Sequence, residues 1–358
     1  MENKRSIPWH SPFAIDVSDC VSSADVIKKA GLDYDVRKCE LVAQMPLGIR
    51  ANNDVNLLMG DFVQNNAVYR VCPNAYATYR RDTNMPLGIV KSKYEVVQNI
   101  DAFDFFDKAI ENGDAAWDTA GLFGYGEKVF ISAKLPKSTL VGKNDYIENY
   151  LVLSNSHDGT SSITIMFTPI RIACFNVLNA ALNKSSSYIT LRHTRSVKER
   201  MDLAAEIIQI SMMYSNKAGE LYNCLNEVEM SDEGILKYIM TLFLTEEEHA
   251  KLLNVPYTPV IQIYNRLLAK DYLTMERSGI STKKANKIEQ VYSYYKNGVG
   301  QKEIHNTAWG AYNAITGYCS NVLDLDGAKR MDNLLYGTSS NLTLKALNLA
   351  FDNIKKVA

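Results

Sequence analysis

The sequence predicts an α+β protein: an N-terminal antiparallel sheet packed with helices over residues 1–195, then a mainly α-helical half over 196–358. Three observations carry this reading. Asp158-Gly159, a dipeptide suited to tight hairpin turns, separates two apolar, strand-like segments at 147–156 and 160–168. Gly124-Tyr125-Gly126 separates a second such pair, 116–124 and 127–135. From about 196 onward the apolar spacing becomes helical, over 196–228, 233–243, 245–253, 258–270, 282–296, 308–322 and 339–357.

The elements follow in order. Ser22-Ser23-Ala24-Asp25 before Val-Ile-Lys-Lys reads as a capped short helix ending near Gly31. Segments 34–45, 67–80 and 87–98 read as strands, the last two separated by the turn-rich Asp82-Thr83-Asn84-Met85-Pro86. Residues 100–111 carry apolar residues at helical spacing and are ended by Asn112-Gly113. The two hairpins come next, then 171–182, which reads as a buried helix lying on the sheet. Helix, four antiparallel strands and helix make a plausible layered core. No fixed internal repeat occurs, which argues against a solenoid.

The chain has 358 residues, enough for about two structural units, with 46% hydrophobic and 22% charged residues, as in ordinary globular proteins. Its formal net charge is -1, so any nucleic-acid binding needs a local basic patch. The six cysteines (20, 39, 72, 174, 224 and 319) form no CxxC and have no ligand-like spacing to histidine, so neither metal nor cofactor is expected. The first twenty residues lack a signal-peptide core, and no run of about 18 apolar residues occurs anywhere. A cytoplasmic protein with reduced thiols and no membrane partner is the expectation. GxxxxGK[ST] is missing, which disfavours ATP-driven chemistry.

Several segments together resemble the phage/plasmid-like protein family known as domain of unknown function 932. They are Pro8-Trp9-His10, Ala30-Gly31-Leu32-Asp33-Tyr34, Arg81-Asp82-Thr83 with Leu87-Gly88, and Tyr94 to Asn99. Thr119-Ala120-Gly121, Ser156-His157-Asp158-Gly159, Phe167 to Arg171 with Cys174-Phe175-Asn176, and Thr307 to Ala314 complete the set. Their order and spacing cover nearly the whole chain. At 10–12 this chain has His-Ser-Pro, where the family pattern leads to a glycine after the histidine. The resemblance implies a protein carried by phages, plasmids and other mobile elements, and it implies no activity. The layered core also loosely resembles that of single-strand-annealing proteins, an analogy at the level of fold alone.

Candidate site residues each have a plainer alternative. Ser156, His157 and Asp158 offer acid–base and nucleophilic groups, but neighbours along a strand face opposite ways, and Asp-Gly suffices for a turn. His157 is therefore retained as a nucleic-acid contact. Arg171, read at a strand-to-helix junction, either holds a phosphate or pairs with a carboxylate. Cys174 reads as core filler. Tyr125, at a hairpin tip, is placed to stack on a base or simply to stand in solvent. The most basic stretch, 184–200, holds Lys184, Arg192, His193, Arg195, Lys198 and Arg200 with Glu199 as its one acid, and suits phosphate contacts or a solvated linker. Asp101, Asp104 and Asp107 would share one helix face, as a Mg²⁺ site or, far more commonly, as the wet side of an amphipathic helix.

These readings favour a mobile-element protein that binds single-stranded DNA and anneals strands without ATP, as a homo-oligomer. Two alternatives stay open. A host-interaction or counter-defence protein would expose an apolar patch over 233–270. A metal-dependent enzyme acting on nucleic acid would use His157, Arg171 and carboxylates such as Asp118 or Asp158.

Overall fold

Two antiparallel sheets organise the first half of the chain. The computed structural model describes residues 14–46, 62–64, 67–160, 163–171, 176–177, 188–191, 197–325 and 327–357. The smaller sheet consists of β2 (Val36–Pro46), β3 (Phe62–Gln64), β4 (Ala67–Arg80) and β5 (Pro86–Val90), with β4 at its centre. The larger has eight strands: β1 (Ala14–Asp16), β6 (Ala116–Phe123), β7 (Lys128–Lys134), β8 (Thr139–Val141), β9 (Asp145–Ser156), β10 (Ile163–Arg171), β11 (Asn176–Val177) and β12 (Tyr188–Leu191). Its main path runs β1-β6-β7-β9-β10-β11, with β8 beside β9 and β12 beside β10.

Period-two alternation sorts the side chains of this sheet into two cores. Val129, Ile131, Leu151, Leu153, Ile163 and Ile165 face one side. Phe130, Tyr150, Val152 and Met166, from the same strands, face the other. Every residue of β10 is buried, as expected of a strand covered on both faces. The first side is covered by α1 (Ser23–Lys29), α2 (Asn99–Phe103) and α3 (Asp107–Glu111), through Val26, Ile27, Phe103 and Ala109, and by Phe106 from the turn between α2 and α3. The second is covered by the helical half. The 31-residue helix α4 (Val197–Glu227) serves both, with Ile207 and Ile208 in the first core and Tyr222 and Leu225 in the second.

The remaining helices are α5 (Asp232–Phe243), α6 (Glu246–Leu253), α7 (Val260–Leu268), α8 (Tyr272–Ser278), α9 (Thr282–Asn297), α10 (Ala308–Gly317), α11 (Gly327–Leu335) and α12 (Thr338–Val357). All of α10 is buried, and a π-helical turn, Tyr318–Val322, extends it. The second core includes sheet residues from before position 195 and helical residues from after 196. The change near 195 is thus one of secondary structure, and the core continues across it.

Several local expectations are corrected. The strand expected over 87–98 stops at Val90, where the chain turns toward α2. The helix expected over 100–111 is broken by a 3₁₀ turn at Asp104–Phe106. The helix expected over 171–182 is not seen at its described positions. Arg171 ends β10, and Asn176–Val177 pair back on Ile170 and Arg171. A short apolar run fits a buried strand as well as a buried helix. Among the described residues the larger sheet has eight strands, where four were expected.

Among the described residues, no helix is long and apolar enough to cross a membrane, and five cysteines are free thiols. Over 233–270 the apolar side chains pack inward, leaving Tyr257 as the large one that stands exposed.

Candidate functional site at the sheet junctions

His157 lies where the two sheets meet. It follows the last residue of β9 and its side chain is fully buried. Its Nε2 is 2.8 Å from Asn99 Oδ1, at the start of α2. Its backbone N–H donates to the Glu127 carbonyl (2.7 Å), and its own carbonyl accepts from Thr78 Oγ1 of β4 (2.6 Å). Asn99 Oδ1 also accepts from Asn155 Nδ2 (3.1 Å), and Asn99 Nδ2 donates to the Leu32 carbonyl (2.9 Å). One histidine thus ties β4, β9 and α2 together.

Tyr34 packs edge-on to the His157 ring and donates its hydroxyl to the Gly126 carbonyl (3.0 Å). Burial pushes its phenol up to about 12. The Arg80 guanidinium lies 3.8 Å from the Tyr34 ring centre, donates to the Tyr125 carbonyl (3.1 Å) and pairs with Asp82. Glycine is required where backbones touch. A Cβ on Gly88 would collide with the Asp158 backbone, so β5 can lie against the hairpin tip only as glycine. Gly126, at φ +110°, lies against the Tyr34 ring and hydroxyl.

Ser156, His157 and Asp158 do not form a catalytic row. Ser156 Oγ donates to Asp158 Oδ1, which also accepts the Thr160 N–H (2.9 Å) and hydroxyl (2.6 Å). That is an Asx-type cap on the hairpin turn. Burial opposes ionisation of Asp158, but the bonds from Ser156 and Thr160, with Lys128 nearby, hold its carboxyl below the usual range. The His157 ring is engaged separately, with Asn99. Tyr125, by contrast, is 61% exposed at the tip of the β6–β7 hairpin.

A second polar centre joins the large sheet to the helical half. Arg171 is 1% exposed, and its Nε donates to both Asp145 oxygens (2.8 and 2.6 Å). One terminal nitrogen donates to the Gly300 carbonyl (2.8 Å). Trp309 Nε1 donates to Asp145 as well (2.9 Å). The anion that Arg171 holds in this structure is therefore a carboxylate of its own chain. Asp118, named with the enzyme reading, accepts from Ser132 and Thr119 (both 2.9 Å).

The three aspartates of 101–107 are not in one continuous helix, because the 3₁₀ turn intervenes. Asp107 accepts from the Ser23 N–H (2.5 Å) and hydroxyl (2.9 Å), with its carboxyl raised chiefly by burial. Among the described residues, no three His, Cys, Asp or Glu side chains are grouped to hold a metal ion.

Lys184, Arg192, His193, Arg195 and Cys174 lie outside the described residues, as do Pro8-Trp9-His10. Lys198 and Arg200 fall in the first turns of α4. Of that stretch, β12 pairs with Ile163–Met166 of β10, and α4 begins six residues after β12.

Sequence reasoning missed Thr78, Arg80, Asp145 and Gly300 as members of these centres. Tyr34, Asn99 and Trp309 stood in segments that carried the resemblance, and that was their only signal. Nothing in the sequence points from Arg171 to Asp145, 26 residues away.

No curated protein and no solved structure matches the chain. One family model, described as Domain of unknown function (DUF932), matches residues 86–335, from β5 through α11. The match takes in His157, Asp158, Arg171 and Trp309, while Tyr34, Thr78 and Arg80 precede it. On that span, most of its length, the chain belongs to the DUF932 family.

Proposed function

We propose that the protein binds single-stranded DNA through the basic stretch 184–200, and that this serves a phage or plasmid. The observation that supports the reading is the position of that stretch. It contributes β12 to the eight-stranded sheet, beside β10, and then runs into α4, the helix shared by both cores. Cationic side chains that flank such a strand in sequence offer phosphate contacts, and the strength of such contacts falls with salt as counterions are released. Tyr125, exposed on its hairpin, is assigned a stacking role, because base–aromatic stacking tolerates any sequence. His157 and Arg171, first grouped with the contacts, are assigned to the framework, since each is buried and engaged within the chain. Strand annealing without ATP would follow if copies of the chain assemble side by side and leave bases exposed.

The test is binding of the full chain to labelled single- and double-stranded oligonucleotides at two salt concentrations. A variant with Arg192, Arg195, Lys198 and Arg200 changed to Ala runs alongside. The expected result is salt-sensitive, single-strand-preferring binding that collapses in the variant. Four lost phosphate contacts should flatten the log–log salt slope by about 3. Absence of binding at low salt contradicts the proposal.

A further inference from the structure

The segment before α5 and the segment after α9 meet in a cleft of about 700 Å³. Its floor is a short antiparallel pairing: Glu229 bridges Thr307, and the Met230 N–H donates to the Asn306 carbonyl (2.8 Å). Asn306 holds a left-handed conformation (φ 57°), fixed by Tyr295, whose hydroxyl accepts its N–H (3.0 Å) and donates to its Oδ1 (3.3 Å). Non-glycine residues rarely stand there without a structural or functional reason.

Three features of the wall are chemically specific. The His305 ring stacks on Tyr295 with centroids 4.8 Å apart, and its Nε2 is 2.9 Å from the Tyr295 carbonyl. A carbonyl only accepts, so Nε2 carries a proton and donates it to Tyr295. Lys296 sits between Tyr292 and Tyr295, 5.7 and 5.9 Å from their ring centres. Its Nζ pairs with Asp232 at 3.1 Å, both side chains being more than 40% exposed. Glu229 adds a second carboxylate to the same cleft.

The cleft therefore offers one ammonium, two carboxylates and one imidazole ring. A wholly anionic ligand meets Glu229 and Asp232, and a wholly cationic one competes with Lys296. A ligand bearing both charges close together can exchange the half-exposed Lys296–Asp232 pair, which is itself worth little, for two new pairs. We infer that this cleft binds a small zwitterion of the amino-acid class. Its carboxylate lies on Lys296, and its ammonium lies on Asp232 and Glu229, with the His305–Tyr295 stack as the neighbouring wall.

The experiment is a thermal-shift and calorimetric screen of the full chain against each of the twenty L-amino acids. Ethylamine and propionate serve as single-charge controls. The inference expects at least one amino acid to bind saturably and raise the unfolding midpoint in proportion to the logarithm of its concentration. Both single-charge probes should bind at least tenfold more weakly. Lys296→Met and Asp232→Asn should each abolish the ligand's shift while keeping the far-UV circular dichroism of the parent. A second pair, Lys270→Met and Glu289→Gln, removes another surface ion pair and should leave the shift intact. No saturable amino acid, or binding indifferent to both cleft substitutions, overturns the inference.

Discussion

The two buried polar centres, around His157 and around Arg171, are built on opposite principles. The first passes hydrogen bonds between the uncharged side chains of Thr78, Asn99 and Asn155, the His157 ring and backbone groups, joining the small sheet to the large one. The second is an ion pair with one member 1% and the other 11% exposed, braced by Trp309 and the Gly300 carbonyl, joining the large sheet to the helical half. In such a network each bond contributes modestly and losses are shared. A buried ion pair adds little net stability when complete, but removing one partner strands a charge in a poorly solvated place. The helical half should therefore depend on a single side chain far more than the small sheet does.

Arg171→Ala tests that contrast with the largest expected effect. It leaves the Asp145 carboxylate, 11% exposed, without its cation and still bonded to Trp309, at an expected cost of about 3–5 kcal/mol in denaturant unfolding. The double change Arg171→Met with Asp145→Leu should recover part of this, because the stranded charge is gone. A single change costing under about 1 kcal/mol would break the contrast.

His157→Ala is expected to cost about 1–3 kcal/mol, since it leaves buried groups of Asn99 short of a partner. Hydrogen exchange should locate the loosening at β4 and β5, with the helical half unchanged. Loosening spread evenly across the chain would deny that His157 serves the sheet junction.

The smallest effect concerns acid. The folded Asp158 carboxyl is held below its ordinary range, so its contribution is complete above pH about 4 and is lost as pH falls through the folded value. Asp107 acts in the opposite sense, because burial raises its carboxyl and favours the protonated form. The difference between parent and Asp158→Asn isolates the first group. Their stability gap should narrow below pH about 4 and stay constant above it, and a gap that widens in acid reverses the assignment.

Much of the fold was legible because its signals are local. Ser22 caps α1 through the Asp25 N–H, Thr245 forms a full capping box with Glu248, and the β6–β7 and β9–β10 hairpins turn where their glycines stand. The boundaries of β4, 67–80, agree with the expectation. Errors arose where two periods fit one run, as at the described positions 171, 176 and 177, or where an element is very short, as with β1, β3, β8 and β11. α8 was missed although Asp271 before it and Gly279 after it are ordinary helix-end signals. The polar centres were legible only by half. His157 and Arg171 stood out as residue types in place, but what they bind is set by contacts spanning 58 and 26 residues, which no local pattern encodes.

Under the proposed function, nucleic-acid contact belongs to the basic stretch, while the buried centres serve the architecture. The most direct test of this division measures two quantities, unfolding free energy and affinity for a labelled single-stranded oligonucleotide, on the parent, on His157→Ala and on the Arg192, Arg195, Lys198, Arg200 quadruple alanine variant. Affinity is corrected for the folded fraction. His157→Ala should lose stability and keep its affinity, and the quadruple variant should keep stability within about 0.5 kcal/mol per substituted position and lose affinity with a flatter salt slope. A His157→Ala protein that is fully folded yet binds weakly, or a quadruple variant that binds like the parent, would contradict it.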